Sequence, residues 1–311
     1  MPGIKPVLTE EQVVALLQQH FAAPIENLAV ITSGQIAQTY SFTVKGQDYI
    51  IRFNRDNMGA NFPKEAFIAA RVVSPLIPIP RIVHIGRFQG LHYSITVKVP
   101  GHPLDQLPPV EYARIEPEVI RTLDAIHHVD ISDWPPRYGV FDNNGVGLSA
   151  SWRSYLLAVG EEEEDWNFYG KWQALFDTTF LEHNVFNSIY DQMTRLLDSC
   201  PEERYLVHGG YGFSNVIAHE GKITGILDWL DAKYGDFVYD IAWLNFWSPE
   251  VNFGELFRQF YHKQGVSIPA YDERLRCYQC YISLDALRFF AKSNQPDAYQ
   301  WSRKRIFDLI R

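Results

Sequence analysis

The chain has 311 residues, 46% of them apolar, with 28 basic against 37 acidic side chains and a net charge of −9. That apolar content excludes a disordered chain. The acidic balance argues against a nucleic-acid backbone or an anionic membrane as partner and leaves room for a cationic ligand.

The opening MPGIKPVLTEEQ has no signal-peptide core. It holds a helix start instead: Thr9 and Gln12 have capping-box spacing, followed by Val13, Leu16 and Leu17 on one face. From Asn27 the period changes to two. Thr39 to Val44 alternates polar and apolar, Lys45-Gly46-Gln47-Asp48 turns, and Tyr49 to Phe53 returns, which predicts a β-hairpin. Residues 64–73, KEAFIAARVV, read as a short helix, and Pro75, Pro78 and Pro80 then force an extended run. Strands are expected at Arg81 to Ile85 and Tyr93 to Lys98. Beyond Gly101 the pattern turns helical, with stripes at Val119, Leu123 and Ile126 and at Val185, Ile189, Met193 and Leu196. Short strands interrupt it at Tyr205 to His208, Val216 to Ala218 and Ile223 to Leu227, and helices resume after Asp236. The expected fold is α+β in two lobes joined near Val97 to Gly101. Three cysteines make no disulfide framework, and no apolar run nears the roughly 18 residues that span a bilayer. A soluble protein of the cytoplasm is expected, with no nucleic acid or membrane as partner, and nothing in the pattern specifies an oligomer.

Three segments carry chemistry. His208-Gly209-Gly210-Tyr211-Gly212-Phe213-Ser214-Asn215 is a glycine-rich loop between strands, Asp228 ends the next strand, and Gly235-Asp236 opens a helix that holds Asp240. A loop Asn followed by a strand-end Asp offers one amide and one carboxylate oxygen. Those are the hard ligands that Mg²⁺ takes in kinase-type phosphoryl transfer.

The run LVHGGYGFSNVIAHEGKITGILDWLDAKYGDFVYDIA, Leu206 to Ala242, resembles the signature of the aminoglycoside phosphotransferase family, and within it the hygromycin B kinases. The likeness extends to Tyr49–Arg52, to PLIPIPRIVHIGRF from Pro75, to LDAIHHVD from Leu123, and to Ser151-Trp152-Arg153. The resemblance implies a protein-kinase-like fold, with a small antiparallel-sheet N-lobe at 1–99 and a larger helical C-lobe at 100–311. It implies ATP, with GTP as the alternative, and Mg²⁺ as cofactors, and a cationic small-molecule acceptor. Asn215 and Asp228 would hold the metal, and His208 would belong to the catalytic loop. Arg52 would take the place of the strand lysine that grips phosphates, with Glu65 as its ion-pair partner. Ser33, Gly34 and Gln35 would cover the phosphates, Val97 would line the nucleotide hinge, and Asp231 would contact the acceptor. The run Glu161 to Asp165 lies where the family faces its acceptor, although five consecutive acids also suit a solvated loop.

One departure stands out. Two residues after the catalytic-loop His, where the family places an aspartate as base, this chain has Gly210. Glycine cannot take a proton, and general-base help is worth about 10²- to 10⁴-fold. Three readings stay open: an inactive variant of a working kinase, a pseudokinase that binds without turnover, or replacement by another carboxylate, with Asp231 nearest in sequence. Cys277 and Cys280 have CxxC spacing without a second ligand pair, so buried thiols are expected. Trp243, Phe246 and Trp247 read as core.

Overall fold

The computed structural model describes residues 6–32, 37–55, 62–163, 168–212 and 214–310. Thr9 opens α1 (Glu10–His20) with a complete capping box, and Val13, Leu16 and Leu17 are buried on the inner face. Strands β1 (Glu26–Ile31), β2 (Gln38–Val44), β3 (Gln47–Asn54), β4 (Ile82–Phe88) and β5 (Leu91–Val97) form an antiparallel sheet in the order β1-β2-β3-β5-β4. The β2–β3 hairpin turns on Lys45 and Gly46 at φ 50° and 78°. This is the mirror-image turn whose twist matches antiparallel strands. Alternation puts Tyr40, Phe42, Ile51, Phe53 and Ile95 on one face, and with α1 they make a small core of their own.

Helix α2 (Phe62–Arg71) follows β3, yet Ile68, Val72 and Ile77 join a second, larger core. That core belongs to α3 (Pro109–His127), α4 (Trp152–Leu157), α5 (Leu175–Thr178), α6 (His183–Leu196), α7 (Val238–Trp247), α8 (Phe253–Lys263), α9 (Tyr271–Lys292) and α10 (Pro296–Leu309). Two small sheets are set among these helices. The β10 (Val216–His219) and β11 (Lys222–Ile226) hairpin pairs with β6 (His102–Pro103). A four-stranded sheet runs β8 (Gly147–Ser149), β7 (Tyr138–Phe141), β12 (Lys233–Gly235), β9 (Tyr205–Val207).

The α+β class and the hairpins fall where the periodicity places them. The four-stranded sheet does not. Of its members only β9 was expected, because three or four residues are too few to display a period. Phe246 is core as expected, whereas Trp243 and Trp247 are half-buried, and Trp247 stacks on Trp301 at 5.5 Å. Cys277 and Cys280 are buried free thiols on α9. Among the described residues no helix is long and apolar enough to cross a membrane.

Candidate active site

The β9–β10 loop is clamped from beneath. In the first turn of α7, Asp240 accepts the His208 and Gly209 N–H groups at 2.8 Å each and lies 3.1 Å from His127 Nε2 at the end of α3. Burial alone would raise this carboxyl, but the His127 contact, the nearby His208 and the Gly209 N–H outweigh it and hold the pKa below the ordinary value. His208 Nε2–H donates to the Leu227 carbonyl at 3.0 Å, and Nδ1 accepts the Gly210 N–H at 3.2 Å. Both ring nitrogens are thus engaged inside the protein, and burial pushes the ring down to about 4. His208 is therefore a neutral brace that ties the loop to the end of β11.

The two adjacent glycines differ. Gly209 has φ +80°, and a Cβ there would sit 2.1 Å from the Asp231 carbonyl oxygen, so glycine is required. Gly210 has no such need: a Cβ would meet only Asn215 Nδ2 at 3.7 Å and His208 Nδ1 at 3.9 Å. The loop would accept a Cβ at this position without overlap.

Asn215 donates Nδ2–H to the Gly210 carbonyl at 3.0 Å, which leaves Oδ1 free to ligate. The Leu227 N–H donates to the Asn215 carbonyl at 2.8 Å and brings Asp228 alongside. Asp228 adopts φ 59° and stays open to solvent. The surrounding protein nevertheless crowds its carboxyl, and this burial raises the pKa, Glu65 adds to the rise, and Arg52 opposes it. Arg52, in β3, makes a two-pronged pair with Glu65 of α2, Nη1 to Oε1 at 3.1 Å and Nη2 to Oε2. The expected Arg52–Glu65 pair is therefore formed, and both residues lie within electrostatic reach of the Asn215–Asp228 corner. An amide and a carboxylate on residues that the backbone brings together are the hard ligands that suit Mg²⁺, which keeps several waters.

Asp231 is exposed, yet the surrounding protein crowds its carboxyl, so that burial raises the pKa while Lys233 opposes the rise. Two lysines beside it were missed in the sequence. Lys64, next to Glu65 on α2 and 1% exposed, donates to the Leu230 and Ala232 carbonyls at 2.6 and 2.7 Å. Burial lowers it to about 7. It fastens the helix after β3 to the loop that carries Asp228 and Asp231. Lys233 in β12 is 3% exposed and lies over the Tyr239 ring at 4.2 Å. A lysine in the first turn of an apolar-faced helix, and another between Ala232 and Tyr234, were the available signals.

Val97 is half-buried at the end of β5, where its N–H donates to the Arg81 carbonyl at 2.9 Å. Ser33, Gly34 and Gln35 lie outside the described residues, as do Glu164 and Asp165 of the acidic run. Within that run the Glu161 carbonyl accepts from Trp172 Nε1 at 2.7 Å, and Glu162 pairs with Lys171 at 3.7 Å. A cavity of about 640 Å³ opens there between Glu161, Trp172, Phe176 and Tyr190. It shares no residue with the Asn215–Asp228–Asp231 cluster.

A five-stranded sheet set on a helical body, with a clamped loop, an Asn–Asp corner and an Arg–Glu pair converging on it, defines a kinase-like phosphotransferase. Residues 27–276 match the model of the phosphotransferase enzyme family, and the chain belongs to that family. It is 30% identical to hygromycin-B 4-O-kinase from Escherichia coli over 308 residues, 99% of this chain and 87% of the relative. Aminoglycoside 3'-phosphotransferase from Enterococcus faecalis is 26% identical over 171 residues, 53% of this chain and 58% of that protein. Among solved structures, a thermostable mutant of aminoglycoside phosphotransferase APH(4)-Ia in ternary complex with AMP-PNP and hygromycin B superposes with TM-score 0.82. It is 27% identical and covers 96% of this chain and 98% of its own. Spectinomycin phosphotransferase, at 12% identity and TM-score 0.66, shares the fold.

Proposed function

We propose that this protein transfers the γ-phosphoryl group of ATP, or alternatively GTP, to a hydroxyl of a cationic aminoglycoside or aminocyclitol, in the cytoplasm. The carrying observation is the corner where Asn215 and Asp228 stand side by side within reach of the Arg52–Glu65 pair. Asn215 Oδ1 and the Asp228 carboxylate would hold Mg²⁺, which when bound bridges phosphate oxygens and offsets their charge. Arg52, fixed by Glu65, presents a planar donor fork suited to phosphate. Residues 1–99, including Ser33, Gly34, Gln35 and Val97, would cover the nucleotide, and 100–311 would carry the metal and acceptor sites. Asp231, open to solvent beside the loop, would attract an acceptor ammonium. The complex of APH(4)-Ia with AMP-PNP and hygromycin B supports a nucleotide and an aminoglycoside as the two ligands, and three free thiols suit a reducing compartment.

Gly210 favours a second reading, a protein that binds nucleotide and ligand without turning them over. The two are separated by phosphate transfer from labelled ATP to hygromycin B at fixed Mg²⁺. The first predicts that Gly210→Asp exceeds the parent by about 10²-fold or more, because a Cβ at this position meets only ordinary contacts and the added carboxylate would supply a base. Equal rates for the two forms would remove position 210 from the chemistry. Nucleotide binding by both forms with turnover by neither would establish the second reading.

A further inference from the structure

Cys200 and Cys277 are far apart in the chain and neighbours in the fold. Cys200 follows the short turn that ends α6, and Cys277 lies on α9. The Cys277 thiol donates to the Met193 carbonyl at 3.7 Å, and the Cys200 thiol donates to the Leu196 carbonyl at 3.8 Å. Both carbonyls belong to the end of α6, and three residues advance a helix by only about 4.5 Å. The two sulfurs are therefore seated side by side over one helical turn. Residues 201–204 belong to no helix or strand, so Cys200 can close on its neighbour without breaking a ladder.

The two thiols differ in access. Cys277 has no exposed surface, whereas Cys200 is half-buried. The chain neighbours of Cys200, Ser199 and Pro201, line a groove of about 290 Å³ together with Phe237, Ile268 and Arg274. That groove gives a small oxidant a route to Cys200. The contact with Cys277, helped by the Tyr278 hydroxyl, outweighs burial and lowers the Cys200 thiol below the ordinary cysteine value. The same contact and burial raise Cys277. The reachable sulfur is thus also the readier to ionise, and the thiolate is the reactive form.

We infer that Cys200 and Cys277 form a peroxide-reactive pair that closes into a disulfide joining the segment before β9 to α9. The inference stands apart from the phosphotransfer reading. The Cys200 thiolate attacks one oxygen of hydrogen peroxide, the O–O bond breaks, and the departing hydroxide takes up the thiol's proton as water. Cys200 is then a sulfenic acid. The Cys277 sulfur attacks the Cys200 sulfur, the S–O bond breaks, and hydroxide leaves with the Cys277 proton as a second water. Two electrons pass from the thiol pair to one peroxide. The new bond fixes α9 where Arg274 and Tyr278 hold Asp236, just before the helix whose Asp240 clamps the His208 loop.

The test treats the full native chain with hydrogen peroxide, alkylates the remaining thiols after unfolding, and maps the peptides by mass spectrometry. The parent is expected to lose two of its three thiols, to yield the Cys200 and Cys277 peptides linked, and to regain both thiols with dithiothreitol. Cys200→Ser leaves Cys277 reduced at the same dose, and Cys280→Ser still forms the link. Absence of the link, or a Cys277–Cys280 link in its place, overturns the inference. Oxidation of Cys200 to the sulfinic acid with Cys277 still reduced overturns it as well, because the partner sulfur then stands out of reach. Should the variants not fold, the peptide map of the parent and its reversal by dithiothreitol decide.

Discussion

Gly209 and Gly210 look alike in the sequence and are opposite in the fold. The first sits in the left-handed region against the Asp231 carbonyl, and the second lies outside that region with only ordinary contacts around the place of a Cβ. Gly209→Ala should lower the unfolding free energy by about 2–4 kcal/mol, since strain and overlap act together. Gly210→Ala should change it by less than about 1 kcal/mol. Urea titration of the two variants checks the contrast, and equal losses would mean that both glycines are structural. His208 sets a pH dependence by the same logic of position. Its folded-state pKa is pushed down to about 4, against about 6.5 for an unperturbed histidine. Between those values the unfolded chain takes up a proton that the folded chain refuses. Stability is therefore fully present above pH 6.5 and is lost as pH falls toward 4, by about 3 kcal/mol from this residue. Unfolding midpoints across that window should fall more steeply in the parent than in His208→Gln. Parallel slopes would show that the ring is not held neutral.

At the scale of elements, α2 does two things with consecutive residues. Glu65 turns to Arg52 in β3, and Lys64 turns to the carbonyls around Asp231. Neighbours on a helix point about 100° apart, so one turn can serve two partners. Lys64→Met removes both bonds and leaves two carbonyls unpaired. Unfolding free energy should fall by about 2–3 kcal/mol, and Mg²⁺-nucleotide affinity should weaken as the Asp228 loop loosens. Calorimetric titration against ADP reads the second effect, and an unchanged affinity would confine Lys64 to stability. The capped α1, the β2–β3 hairpin and the β10–β11 hairpin were legible because each is specified by neighbours in the chain. The loop from His208 to Asp228 was legible for the same reason, with its Asn, Asp and glycines at short spacing. The clamp of Asp240 by His127 spans 113 residues. The Lys64 contacts span 166 and 168, and β12 is three residues long. Such features depend on how distant elements pack, and no local period announces them.

In the molecule as a whole, the proposed nucleotide site draws residues from the elements of two separate hydrophobic clusters. One is built from α1 and the five-stranded sheet, and the other takes in α2 and the helices. Arg52 rises from the first, while Glu65, Asn215 and Asp228 belong to elements of the second, so a ligand touching all four ties the clusters together. Anything that binds only the folded state stabilises it by RT ln(1 + [L]/Kd), about 2.7 kcal/mol at a hundredfold excess over Kd. For a chain of this size that is about 5 °C in Tm. Mg²⁺ with ADP should produce this rise in a thermal melt, and chelation with EDTA should cancel most of it. Asn215→Ala and Asp228→Asn should each lose the metal-dependent part, whereas Gly210→Asp should keep it, since in the proposed function position 210 would serve the acceptor and not the diphosphate. A rise that survives EDTA and both metal-corner variants would mean that nucleotide is held elsewhere. The corner's geometry would then serve the fold and not phosphate transfer.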